Sequence, residues 1–378
     1  MCLNGVLVDG AEPTKIDFWS PFPAADQVAP TAVLQELVNQ FNVEHPDIQV
    51  EHSGTPINDL AGKYMAAIAA GVMPDVGWGV PTQFYSTANL VPVEELAKRD
   101  GLDMTQFWPG TWRGYAMIDG IQWGWPFEEG AQATVCNKDR FEEIGLAGAP
   151  ETWDQFVSYA RKLSDPEKGL YALQPIWWWG EQLPFVWMNG GEVISADGKK
   201  VTFTDPKVVE AVQWYGDLQH VHNVIGADVP SGRAAMIWVH SGWFEFSKSF
   251  AFNVGYAKLP RPADGKFATR SFYQELTITR NTPERIEAAW TFLKWLMDPE
   301  TIVHWNIITG YLPTSRAVVN TRAYRAWLTE NPGMQAWLDM MNYVRGWPRM
   351  GFDGVGAQFQ AAMDKVCTGQ ASARVALE

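Results

Sequence analysis

Cysteine is scarce in this chain, with only Cys2, Cys136 and Cys367 among 378 residues. They are too few and too scattered for a disulfide framework or a CxxC metal site, so stability has to come from a buried core. Histidine is scarce as well, with six copies, and only His220 and His222 lie close together. Two apart on a helix they take different faces, whereas a helical metal pair needs i, i+4 spacing, so neither metal nor cofactor is expected. Basic residues are outnumbered, 29 Lys and Arg against 43 Asp and Glu, for a net charge of −14. That balance argues against nucleic acid, whose binding rests on cationic side chains at phosphates, and against anionic membranes. No apolar run approaches the roughly 18 residues a membrane helix needs. The start, "MCLNGVLVDGAEPTK", has neither the basic nor the apolar segment of a signal peptide. It leaves a cytosolic protein, or one whose leader has been removed; Met1-Cys2 would then mark a lipidated cysteine, or a chance one. Phosphate-binding GxGxxG and GxxxxGK[ST] loops and the GxSxG nucleophile turn are missing too.

Tryptophan, by contrast, is abundant: 20 copies, against 11 Tyr and 19 Phe. So many amphipathic rings exceed what packing needs and suggest surfaces that recognise a ligand. "PIWWWGEQLPFVW" (residues 175–187) concentrates them around Glu181 and Gln182. No regular element buries Trp177, Trp178 and Trp179 together, since strand neighbours alternate faces and helix neighbours lie about 100° apart. At this length two domains are the default.

The order of elements is α/β. "KIDFWSPF" reads as a buried strand, and "TAVLQELVNQFNVEH" as a helix with Val33, Leu34, Leu37, Val38 and Phe41 on one face, stopped at His45-Pro46. "IQVEH" is a second strand, completing a βαβ unit and hence a parallel sheet. Helices open at a capping box, Thr152 with Gln155, and at Asp205-Pro206 and Thr282-Pro283. No single linker divides the chain, as happens when it crosses between two domains several times. Glu128-Glu129 is the one carboxylate pair that invites a catalytic reading. A glycosidase needs two carboxyls about 5–9.5 Å apart across one bond, and neighbours on extended chain point to opposite sides. One of the two can still face a pocket.

Six segments, in order, resemble the family 1 extracellular solute-binding proteins of ABC importers, which include maltose-, oligosaccharide- and glycerophosphodiester-binding members. They are "GVMPDVGWG", "WPFEEGAQATVCNKDRFEEIGLAGAPETWDQF", "NGGEVISADGKKVTFTDPKVVEAV", "SGRAAMIWVHSGWF", "AAWTFLKWLMDPE" and "TGYLPTS". The resemblance spans about Lys15 to Gly369. It implies two α/β lobes with mixed sheets, a cleft between them and about three crossings, near Phe127–Ala131, Asp264–Ser271 and Leu312–Ser315. The lobes would be 1–128 with 270–312, and 129–269 with 313–378. It implies an extracytoplasmic monomer without catalysis, closing by hinge motion around a carbohydrate and handing it to a membrane permease. A glycerophosphodiester or sugar phosphate is the alternative ligand, and a carbohydrate-active hydrolase the more remote reading.

A sugar offers flat C–H faces, which indole covers, and a rim of hydroxyls that polar side chains grip. By resemblance, Trp243 takes the family's stacking position and Tyr311 reaches the cleft. Trp78 lies on the loop after a strand, with Asp75 more suited to a cap. Trp19, Ser20 and Phe22 form a lip, and Ser271, Phe272, Tyr273 and Gln274 face the second crossing. Glu128, Glu129 and Gln132 sit in the first crossing, although the family's carboxylate position falls on Gly130. At least one of Trp177, Trp178 and Trp179 is expected to stack on ligand, with Glu181 or Gln182 reading a hydroxyl. The aromatic that maltose-type members carry on the final helix would fall near Gly356-Ala357. This chain has instead "RGWPRMGF", with Trp347, Arg349 and Phe352 upstream, which leans toward the glycerophosphodiester subgroup.

Overall fold

A computed structural model describes residues 12–23, 28–81, 84–85, 88–112, 116–118, 120–176, 178–272, 274–346 and 352–378. The opening βαβ unit forms as the apolar pattern requires. Strand β1 (Thr14–Ser20) leads into the helix Ala29–Glu44, which buries Val33, Leu34, Leu37, Val38 and Phe41 and ends at His45, ahead of Pro46. Strand β2 (Ile48–Gly54) then runs parallel to β1, from Thr14↔Ile48 to Ser20↔Gly54. Next come β3 (Val76–Trp78), β4 (Leu90–Val91), a small hairpin of β5 (Met117–Ile118) and β6 (Ile121–Gln122), and β7 (Gly124–Glu128). Beyond these lie β8 (Gln132–Asn137), β9 (Tyr171–Leu173), β10 (Ala234–His240), β11 (Val254–Ala257), β12 (Thr269–Arg270), β13 (Gln274–Thr279) and β14 (Val344–Arg345).

Two sheets result. The first has the order β2-β1-β3-β13-β4, with β7 also on β13; β1, β2 and β3 are parallel and β13 is antiparallel to its neighbours. The second has the order β11-β8-β10-β9, in which only β9 and β10 are parallel. The chain leaves the first sheet after β7 and, with three residues between, enters the second at β8. It returns between β11 and β13, and β12 on that path pairs in parallel with β14. Helices Pro283–Leu296 and Pro299–Thr309 pack on the first sheet and its helix, so a third passage follows Thr309 before Gln335–Met340 packs on β8. These passages fall where the sequence places its crossings.

The capping signals act locally, as read. Thr152 accepts from Gln155 N–H (3.2 Å), while the Gln155 side chain accepts from Glu151 N–H (3.0 Å), one residue outside the reciprocal partner of a capping box. Asp205 and Thr282 cap the helices after them through Lys207 N–H (2.8 Å) and Arg285 N–H (3.4 Å). His220 closes the helix Pro206–His220, and His222 lies past its end.

The tryptophans overturn one expectation. Most of those described are core residues, because both lobes use indole rings as bulk filler. In the first lobe Trp78, Trp305, Phe22 and Phe127 pack edge to face, and Trp112, Trp125 and Trp290 form a second group. In the second lobe Trp153 and Trp214 stack at 4.1 Å, with Trp238 beyond.

Candidate ligand-binding cleft

In open α/β sheets ligands sit beyond the carboxyl ends of the parallel strands. Here those ends are Ser20 (β1) and Trp78 (β3) in one lobe, and Leu173 (β9) and His240 (β10) in the other. The segments leaving the second pair, through Trp178–Gln182 and Ser241–Trp243, meet the crossings in a strip of polar and aromatic side chains.

Glu128 ends β7 opposite Gln274 and is 3% exposed. Its Oε2 has no hydrogen-bond partner among the described residues. Burial, reinforced by the neighbouring Glu129, pushes its carboxyl well above the ordinary 4.5. Glu128 lies close enough to Tyr311 for its charge, together with burial, to push the phenol upward. The Tyr311 ring stacks on His240 at 6.1 Å, and His240 contacts Phe272 at 4.7 Å. His240 accepts from Gly242 N–H at Nδ1 (3.2 Å), which fits a neutral ring, and burial and Arg270 push it down to about 4.

Arg270 is the cationic centre of the strip. Its guanidinium lies 3.4 Å from the Phe272 ring centroid and 4.6 Å from that of Trp178, between two aromatic faces. Burial pushes it down to about 9, opposed by Glu181 and Glu129. Glu181 is pushed up by burial while Arg270 pulls it down, and its carbonyl accepts from Gln132 Nε2 (3.2 Å). Gln132 Oε1 and Gln182 Oε1 are buried without partners among the described residues.

Glu129 points elsewhere. Its carboxylate accepts from Ser271 Oγ (2.9 and 3.0 Å), Phe272 N–H (3.0 Å), Gly130 N–H (3.0 Å) and Thr111 Oγ1 (3.2 Å). The opposite orientation of the two glutamates, expected of extended chain, gives one to the crossings and leaves the other with an open oxygen. The family's carboxylate position at Gly130 is closed to any side chain: a Cβ there would lie 2.9 Å from Phe272 Cβ.

The three tryptophans of residues 177–179 divide as follows. Trp178 is 42% exposed and carries Arg270 on its face. Trp179 turns inward: its ring packs on Phe359, while its backbone N–H donates to Gln360 Oε1 (2.7 Å). A Cβ at Gly356 would meet that ring at 2.6 Å. The indole therefore fills the space over Gly356, near which the resemblance expected an aromatic. Trp179 is core and not a cleft wall, and Trp78, with no exposure, is core as well.

Trp19 is half-buried, with Lys63 Nζ 3.8 Å from its ring centroid. Ser20 is spent on His52 Nε2 (2.7 Å) and Phe22 N–H (3.1 Å). Asp75 ties β1 and β3 to the start of the helix Pro283–Leu296 through Asp17 N–H, Asn281 and Arg285. Trp243, half-buried, opens the short helix after β10 and meets Phe246 edge-on at 5.3 Å. Trp177, Tyr273, Trp347, Arg349 and Cys2 lie outside the described residues. Arg270, His240 and Thr111 were missed by sequence reasoning; a charge on the predicted second crossing was the one available signal for Arg270.

Among the described residues no cluster could hold a metal ion, and no helix is long and apolar enough to cross a membrane. Two α/β lobes, joined by three passages that carry this strip, define a two-lobed solute-binding protein. The sequence narrows the class: residues 24–302 match the bacterial extracellular solute-binding protein family, and the chain belongs to that family. Its function is solute binding for an ABC importer. It is 27% identical over 334 residues to the sn-glycerol-3-phosphate-binding periplasmic protein UgpB of Escherichia coli K12, covering 79% of this chain and 75% of that protein. The fold is that of the cyclic alpha-maltosyl-1,6-maltose binding protein of Arthrobacter globiformis (TM-score 0.86, 23% identity, 97% and 96% of the two chains). It is also that of Mycobacterium tuberculosis UgpB in complex with glycerophosphocholine (TM-score 0.82, 22% identity, 97% and 96%).

Proposed function

We propose that the protein binds a carbohydrate, best an oligosaccharide, outside the cytoplasm and delivers it to the importer's permease without chemical change. The lobes in this reading are 1–128 with 270–312 and 129–269 with 313–378, closing as a monomer that is either periplasmic or lipid-anchored at the outer face of the membrane. The observation that carries the ligand class is Glu128, a buried carboxyl with an open oxygen beside Tyr311. An unpartnered buried acceptor is costly, and a ligand hydroxyl is the donor that relieves it. Trp178 and Trp243 supply indole surface for sugar faces, and Gln132 and Gln182 further buried polar atoms.

Arg270 favours a second reading, a glycerophosphodiester, which also suits the name of the Escherichia coli relative. The electrostatics weigh against it. Arg270 already lies between two rings, with Glu181 and Glu129 acting on it. A phosphate would share this low-dielectric space with three carboxyl groups. A thermal-shift screen with malto-, cello- and xylo-oligosaccharides, glycerol 3-phosphate and glycerophosphocholine separates the readings. A ligand at a hundredfold excess over Kd adds about 2.7 kcal/mol. Sugars should raise the melting temperature; a shift with glycerophosphocholine alone would overturn the choice. Released products in the sugar arms would sink the non-catalytic reading.

A further inference from the structure

The carboxylate of Glu129 is wholly buried yet offers nothing to a ligand. Its partners come from separate stretches of chain: Gly130 N–H from the first crossing, Ser271 Oγ and Phe272 N–H from the second, and Thr111 Oγ1 from the turn Pro109–Trp112. The backbone of the same residue reaches the third crossing, where Leu312 N–H donates to Glu129 O at 2.8 Å. One residue thus holds all three crossings. The contacts around it extend the knot: Phe272 N–H also reaches Gly130 O (3.0 Å), and Ser271 N–H reaches Arg345 O (3.0 Å).

From this geometry we propose that Glu129 is a positioning residue for lobe closure, a pin that makes the three crossings turn as one body. The inference rests on the reading of the protein as a two-lobed binder that closes on its ligand. Hinge motion is absorbed by a few residues whose φ and ψ change. If residues 129–130, 271–272 and 312 move together, rotation is confined to the residues flanking the knot, and the lobes follow one path. Without the Glu129 side chain the second crossing and the turn Pro109–Trp112 lose their side-chain tie to the first. Only the backbone bonds Leu312 N–H to Glu129 O and Phe272 N–H to Gly130 O remain, and the open state becomes a broader set of inter-lobe angles. The adjacent glutamates then have separate duties, Glu128 to the ligand and Glu129 to the motion that encloses it.

The test reads the motion without ligand, so it is independent of the ligand class. Spin labels at Val43→Cys and Val221→Cys, both exposed, report the inter-lobe distance distribution by double electron–electron resonance, with Cys2 and Cys367 replaced by serine. Glu129→Ala should at least double the width of the distribution while circular dichroism stays native. Glu129→Gln should keep it narrow, because the amide oxygen can accept from Phe272 and Gly130, and the Ser271 and Thr111 hydroxyls can reverse to accept from its NH2 group. A wild-type width in Glu129→Ala, or a glutamine variant as broad as the alanine one, would overturn the pin. If the alanine variant does not fold, Ser271→Ala takes its place; it should broaden the distribution, and an unchanged width counts against the proposal. Failure of the carbohydrate reading looks different: the wild-type distribution would not shorten with any sugar.

Discussion

Adjacent tryptophans with opposite surroundings make residues 178 and 179 a natural pair of controls. Trp178 lies on the strip with 42% of its surface exposed, and Trp179 is buried against the helix Phe352–Cys367. Truncating the first should cost affinity and truncating the second stability. Trp178→Ala is expected to weaken ligand binding by about 2 kcal/mol, as for other aromatic anchors, with little change in melting. Trp179→Ala should cost about 3–5 kcal/mol in denaturant unfolding, the usual range for an emptied aromatic site. Isothermal titration and denaturation of both variants check this, and a reversed pattern would move the cleft wall to Trp179.

At the scale of elements, Trp179 packs closely on the helix Phe352–Cys367 at Gly356. Any Cβ at Gly356 enters the indole, so Gly356→Ala should destabilise by about 1–3 kcal/mol as an overpacked site. The cost should shrink when Trp179→Leu is made in the same chain, since the two changes act on one space and will not add. Equal costs in both backgrounds, measured by urea unfolding, would show that the ring moves aside freely. The helices themselves were largely legible, because Thr152, Asp205 and Thr282 state their starts and the apolar stripe of Ala29–Glu44 states its buried face.

At the scale of the whole molecule, buried ionisable groups set an unusual pH dependence. Burial pushes Glu129 and Glu275 up to about 7, and Glu128 well above its ordinary 4.5. Each such carboxyl contributes fully below pH 4.5, and the contribution is lost as pH rises through the folded value. His52 and His240, pushed down to about 4 from 6.5, act in the opposite sense, their contribution growing as pH rises from 4 to 6.5. The two sets oppose one another below pH 6.5, and above it the carboxyls act alone. Unfolding free energy should therefore decline from pH 6.5 to pH 8. Glu275→Gln, which keeps an acceptor for Tyr85, should flatten the decline. Urea titrations at four pH values test this, and a wild-type stability that climbs across the interval contradicts it.

Sequence alone determined the α/β order of elements and the helix starts, which follow from local periodicity and capping chemistry, and its ordered short motifs carried the family resemblance that implied the three crossings. It also determined that Glu128 and Glu129 face opposite ways, which is a property of extended chain. Only the tertiary structure decided which glutamate is satisfied by the crossings and which keeps an unpartnered oxygen, since the donors to Glu129 arrive from up to 143 residues away. The same holds for the three tryptophans. The backbone of Trp179 is held by Gln360, 181 residues later, and its ring fills a gap over Gly356 that no local pattern announces. The excess of tryptophan misled for the same reason: composition counts rings, but whether a ring fills a core or faces a ligand depends on what the rest of the chain brings against it.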